Sequence, residues 1–164
     1  MRFPIAAFIL VSAAALGGCA SVPMAPVAAD NQAKQFQPVP DKGVLYIYRS
    51  ESFGGAVKMD VMVDSVLIGD TAAETYFRME LPPGKHTIVT KAENTDEVDI
   101  DVQPGQLYFV WQEVKMGVLY ARNKLHIVQA GEGEAGVREC KLAAGGTPMA
   151  APAAASMTAP ASSH

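Results

Sequence analysis

The chain has 164 residues, with 13 Lys and Arg against 17 Asp and Glu and a formal net charge of −4 at pH 7. That balance, with no basic run anywhere, argues against nucleic acid or an anionic lipid surface as the main partner, since both require clustered cations. Length and composition allow one globular domain with biased segments at its two ends.

The N-terminus opens on Met1-Arg2, a single positive charge. An uncharged run follows from Phe3 to Leu16, interrupted only by Pro4 and Ser12. As a helix this run spans roughly 21 Å, short of the ~30 Å hydrocarbon core, so it reads as a cleaved export signal rather than a permanent span. It closes on Leu16-Gly17-Gly18-Cys19, small side chains where a peptidase cuts and a thiol where a lipid attaches. In these residues the chain resembles bacterial lipoproteins. The resemblance implies a signal peptide over residues 1–18, diacylglycerol on the Cys19 sulfur and an acyl chain such as palmitate on its amine. With Ala20 rather than Asp next, it also implies an outer-membrane address facing the periplasm. One acyl chain holds a protein only marginally, whereas three hold it effectively for good. A thioether at Cys19 leaves Cys140 without a partner in the chain. Cys140 then reads as a small buried apolar residue, with an intermolecular disulfide as the alternative.

Residues 19–40 carry Pro23, Pro26, Pro38 and Pro40 among Ala, Gln and Val, with no period of 2 or 3.6. They read as a flexible lipidated tether, on the order of 25 Å long on average and ~70 Å at full stretch. From Gly43 the period becomes two. Val44-Leu45-Tyr46-Ile47-Tyr48-Arg49 is β-branched and aromatic on both faces, as in a central strand. Past a Ser- and Gly-rich loop, Val57, Met59, Val61 and Val63 alternate with Lys58, Asp60, Met62 and Asp64, and Asp64-Ser65 turns into Val66-Leu67-Ile68. In Thr75 to Leu81, Phe77, Met79 and Leu81 face inward and Arg78 and Glu80 outward. Pro82-Pro83-Gly84 and Pro104-Gly105 mark turns. Lys85 to Thr90, Glu97 to Val102, Leu107 to Trp111 and Val118 to Val128 read as further strands.

Seven or eight short strands with Pro-Gly punctuation predict an all-β antiparallel sandwich over residues 41–142. In Glu132 to Leu142, Ala135, Glu139 and Cys140 share a helical face, although Val137, Glu139 and Lys141 also alternate; a short C-terminal helix is the expectation. Residues 143–164 are Ala, Gly, Pro, Ser, Thr and Met up to His164, and read as a disordered Ala/Pro-rich tail.

The succession Val44-Leu45-Tyr46-Ile47-Tyr48-Arg49, Val61-Met62-Val63-Asp64, Thr75-Tyr76-Phe77 and Pro83-Gly84-Lys85-His86-Thr87-Ile88 resembles the bacterial lipoprotein domain of unknown function 2846. More distantly it is similar to the Ig-like PEGA modules. The resemblance covers about residues 41–128 and departs from the pattern at Asp64-Ser65, where a Gly commonly completes the turn. It implies the fold and a cell-envelope location, and brings no catalytic residue.

Chemistry is sparse. His86 sits at a strand start beside a turn, and His126 has no second ligand at metal spacing. Asp96, Glu97, Asp99 and Asp101 alternate on a strand, so they cannot converge on one ion. No phosphate loop and no nucleophile elbow occurs. No enzyme, cofactor or metal is therefore expected, and a monomer is. Tyr76, Tyr108, Trp111 and Tyr120 form a candidate binding surface, with core packing as the alternative. Two functions remain open: a lipid-anchored, non-catalytic interaction domain for another envelope protein, or a glycan- or peptidoglycan-binding module.

Overall fold

The computed structural model describes residues 21–145; Leu16, Gly17, Gly18 and Cys19, and the tail beyond Gly145, lie outside the described residues. The first strand, β1 (Gly43–Arg49), is buried at every position. An apolar strand of this kind has no face to give to water, and the chain covers both. Leu45 and Ile47 belong to one core, Val44, Tyr46 and Tyr48 to another.

In chain order, α1 (Val27–Ala33) precedes β1, and β2 (Met59–Val63), β3 (Val66–Thr71), β4 (Thr75–Leu81), β5 (Gly84–Lys91), β6 (Thr95–Val102), β7 (Leu107–Lys115), β8 (Arg122–Val128), α2 (Ala130–Glu139) and β9 (Lys141–Leu142) follow. The strands form two sheets, ordered β8-β7-β1-β4-β9 and β3-β2-β5-β6. The expected all-β sandwich with a short C-terminal helix is the fold observed. The β1–β7 and β4–β9 pairings are parallel, unlike the purely antiparallel arrangement expected. Between β1 and β7 the chain builds the second sheet, a detour that local alternation does not register.

The first core lies between the sheets. Leu45, Ile47, Phe77, Met79 and Leu81 meet Val61, Val63, Ile88, Ile100 and Val102 there. The turn between β2 and β3 has φ of 51° at Asp64 and 67° at Ser65, the left-handed pair that a two-residue hairpin requires. No Gly is needed there.

The second core lies outside the larger sheet, and over the described residues 21–40 it corrects the expectation of a flexible tether. Residues 27–33 are helical, and Phe36 is buried against Tyr46 and Phe109 at ring-centroid distances of 5.3 and 5.9 Å. A seven-residue helix is unstable alone, so docking holds it. Its anchor is Asp30, whose carboxylate accepts from Tyr76 Oη at 2.8 Å, the Leu142 N–H at 3.0 Å and Lys34 Nζ at 2.9 Å. Burial alone raises the Asp30 carboxyl, but these hydrogen bonds outweigh it and hold the group below its ordinary range. Upstream, Val22 is buried in the inter-sheet core and Met24 bridges to Ala143.

On α2 the inward face is Gly133, Val137 and the capping Cys140, whereas Ala135 and Glu139 are exposed. That corrects the predicted helical face. The reason is close approach: a Cβ at Gly133 would overlap the Phe109 ring, and one at Gly136 the Tyr48 ring. The Cys140 Sγ sits 3.4 Å from the Arg49 carbonyl oxygen, and burial pushes its thiol up to about 12.

Gly133→Ala and Gly136→Ala are expected to destabilise the domain by about 1–3 kcal/mol each through overpacking, despite a gain in helix propensity. Gly131→Ala has nothing within 4 Å and is expected to stabilise it by up to about 1 kcal/mol. Urea denaturation of the three variants checks the contrast.

Candidate functional site

Strand registers place the β1–β2, β3–β4, β5–β6 and β7–β8 connections at one end of the sandwich. Arg49 lies opposite Thr75, Met59 opposite Thr71, Lys91 opposite Thr95 and Lys115 opposite Arg122. Two charged side chains shape these connections.

Arg49, the last residue of β1, is fully buried. Its guanidinium donates to the carbonyls of Val57 at 2.8 Å, Gly54 at 2.8 Å and Phe53 at 3.3 Å. The cation thereby holds the β1–β2 loop over a small apolar cluster of Met59, Val114 and Ala121. Desolvation lowers its pKa from the usual arginine range. Deeper in the same end, Thr71 Oγ1 donates to Gln112 Oε1 at 2.6 Å and Thr90 Oγ1 bonds Asn123 Oδ1.

Glu93, in the β5–β6 loop, crosses to the β7–β8 loop. Its carboxylate accepts the backbone N–H groups of Val118 at 3.0 Å, Leu119 at 2.9 Å and Tyr120 at 2.9 Å. Gly117 is required for this approach, since a Cβ there would strike the Tyr120 carbonyl and Glu93 Oε2. The predicted strand from Val118 to Val128 therefore begins only at Arg122. The residues before it are wrapped around a carboxylate instead of paired in a ladder.

The side chains of this wrapped loop point to water. Met116 is 78 % exposed, Val118 88 %, Leu119 86 % and Tyr120 49 %, with Phe53 of the β1–β2 loop 50 % exposed beside them. Phe53, Val57, Met116, Val118, Leu119 and Tyr120 line one shallow depression. A carboxylate and a buried guanidinium thus hold a contiguous apolar surface in place, which makes it the candidate site among the described residues.

The four aromatic residues singled out from the sequence do not gather. Tyr120 belongs to the apolar loop. Tyr76 is fully buried beneath α1 and is no surface residue, a correction that follows from the folding of the N-terminal segment over it. Tyr108 is half-buried, its hydroxyl accepting from the Gln103 N–H at 2.7 Å and donating to the Asp101 carbonyl at 3.1 Å. Trp111 is half-buried on the helix side, its Nε1 donating to Glu51 Oε1 at 3.0 Å and its ring stacked on His126 at 5.1 Å. The other residues of the apolar loop, and Glu93 and Arg49, were not among the sequence candidates. Gly117 within Met116-Gly117-Val118-Leu119-Tyr120 was the available signal of a break.

Both internal histidines have carboxylate neighbours. His86 Nδ1 lies 2.6 Å from Asp64 Oδ2 and its Nε2 2.8 Å from the Pro82 carbonyl, so both ring nitrogens are engaged in fixing two turns. His126 Nε2 lies 2.8 Å from Glu113 Oε2. The Glu113 carboxyl is lowered, as Lys115 and His126 hydrogen-bond to it against a smaller opposing effect of burial. Asp96 accepts from the Leu125 N–H at 2.7 Å and Lys124 Nζ at 3.0 Å, joining β6 to β8. Among the described residues no three His, Cys, Asp or Glu side chains gather to hold a metal ion.

The chain belongs to the family described as "Protein of unknown function (DUF2846)", which matches residues 40–123. That span takes in β1 to β7, the apolar loop and its two clamps. An "Uncharacterized protein" of Haemophilus influenzae (strain ATCC 51907 / DSM 11121 / KW20 / Rd) is similar, 36 % identical over 140 residues, which cover 84 % of this chain and 83 % of the relative.

The Glu93 carboxyl is held below its ordinary range by the Tyr120, Leu119 and Val118 N–H groups. A depressed carboxyl holds the loop fully above its ordinary value and releases it as pH falls through the lowered one. Two-dimensional NMR is expected to show the amides of residues 118–120 in place on passing about pH 4.3, the ordinary Glu value, and moving together only in stronger acid. Glu93→Ala is expected to move them at neutral pH while leaving the β1 amides unchanged.

Proposed function

We propose that this chain is a lipid-anchored protein of the cell envelope whose β-sandwich is a non-catalytic interaction domain. The observation that carries the proposal is Leu16-Gly17-Gly18-Cys19 at the close of a short apolar run. Cleavage before Cys19 and acylation of its sulfur and amine anchor the chain in the outer membrane, with the domain on the periplasmic side. The resemblance of residues 1–19 to bacterial lipoprotein signals supports the address, and the two-sheet frame is compatible with the likeness to PEGA modules.

Interaction rather than catalysis follows from how the polar groups are used. Arg49, Asp30, Glu93 and His86 are each spent on fixing backbone or a neighbouring side chain. Among its exposed apolar residues, Phe53 and the Met116–Tyr120 loop gather around one depression. A glycan module is the weaker reading, because a sugar stacks on a bare aromatic face and one face of Trp111 is covered by His126.

Metabolic labelling with an alkyne fatty acid is expected to tag the native chain and not Cys19→Ala. Mass spectrometry is expected to find an acylated Cys19 as the mature N-terminus. A bare sulfur, or an N-terminus elsewhere, overturns the anchor.

A further inference from the structure

We infer that the Met116–Tyr120 loop is a membrane-contacting tip whose apolar side chains enter the headgroup–acyl boundary of the leaflet holding the Cys19 lipid. This rests on the acylated Cys19 proposed above and adds to it an orientation of the domain on the bilayer.

The path of the chain carries the inference. With Val22 buried and α1 docked, no long tether separates lipid from domain. Ser21 and Val22 line a shallow depression with Ala72, Glu74, Thr75 and Lys141. Ala72 to Glu74 is the β3–β4 turn, at the same end of the sandwich as the apolar loop. Only Ala20 lies between Ser21 and Cys19, so the two outer Cα atoms are at most about 7 Å apart. The lipid therefore leaves from the end that presents Met116, Val118, Leu119 and Phe53 to water.

The chemistry of the tip suits a lipid surface. Glu93, the carboxylate against the loop, is turned onto backbone N–H groups, and Glu51 of the β1–β2 loop accepts from Trp111 Nε1. Arg122 and Lys115, the latter half-exposed and paired with Glu113 at 2.7 Å, flank the apolar run at the level of the headgroups. Tyr120, amphipathic and half-exposed, suits the interface itself. The loop is held in one shape beforehand, so little ordering is lost on contact. Burial of uncharged side chains needs no anionic lipid, so contact by insertion works on zwitterionic lipid and depends little on salt.

The test uses the full mature chain, with its mass recorded, reconstituted in phosphatidylcholine vesicles that carry nitroxide-labelled acyl chains. An environment-sensitive fluorophore is placed on Leu119→Cys or, at the opposite end, on Lys85→Cys; buried Cys140 does not compete for the label. The Leu119 probe is expected to shift to the blue and be quenched severalfold more than the Lys85 probe, equally at low and high salt. A Phe53→Cys probe is expected to be quenched in the native loop and released when Val118 and Leu119 are both Ser, with an unchanged circular dichroism spectrum. A water-exposed, unquenched Leu119 probe on a chain whose mass shows the acyl groups overturns the tip and leaves the anchor standing; a crosslink from that loop to an envelope protein then names the other occupant. A mass without acyl groups overturns the anchor, and the tip with it.

Discussion

The two-sided burial of β1 is the constraint from which the architecture follows. A strand with Val44, Tyr46 and Tyr48 on one face and Leu45 and Ile47 on the other cannot sit in a sheet with a wet side. Two layers must cover it, one of them the second sheet. The other is assembled from opposite ends of the chain, α1 with Phe36 and α2 with Cys140. Burying Tyr46 and Tyr76 is tolerable because their hydroxyls find acceptors, Tyr46 Oη donating to the Ala33 carbonyl at 2.7 Å and Tyr76 Oη to Asp30. Tyr46 stacks on Phe109 at 5.1 Å with their planes 12° apart, so the helix-covered core is rich in aromatic rings where the inter-sheet core is mostly aliphatic around Phe77.

At the loop end the ordinary distribution of polarity is inverted. Arg49, Thr71, Thr90, Gln112 and Asn123 are inside, and Phe53, Met116, Val118 and Leu119 are outside. A buried guanidinium is costly unless its donors are satisfied; here Nη1 and Nη2 find carbonyls of the very loop that carries Phe53, while the buried Nε has no partner among the described residues. Interior polar groups thus set the shape of exterior apolar ones. Arg49 is also the residue that ends β1, so strand and contact surface are tied by one side chain.

The sandwich was legible because alternation survives wherever one face is wet, as in Phe77, Met79 and Leu81 against Arg78 and Glu80. The turns were legible in Pro and Gly. α1 was not, because its stability comes from docking: Ala-rich, bracketed by prolines and only seven residues long, it carries no periodic stripe. Its local clue was the Asp30–Lys34 pair, four residues apart and 2.9 Å in contact. Tyr76, a candidate surface residue with core packing as the alternative, does leave the inter-sheet core, but the unrecognised helix lies over it. The apolar loop was hidden for the opposite reason. Val118, Leu119 and Tyr120 have the composition of a strand, and only three hydrogen bonds to a side chain 25 or more residues earlier in the chain stop them from being one.

The burial of Cys140 has a consequence for the domain in an oxidising compartment. Burial raises the thiol well above its ordinary range, so the reactive thiolate is strongly disfavoured at neutral pH. That sulfur is sealed between α2 and β1, beyond the reach of another protein's cysteine. Mixed disulfides, the intermolecular bridge that the cysteine count left open among them, have no purchase on the folded chain. Once the domain has folded, opening this thiol to exchange means undocking α2 from β1, so its reactivity reports on the integrity of the aromatic layer.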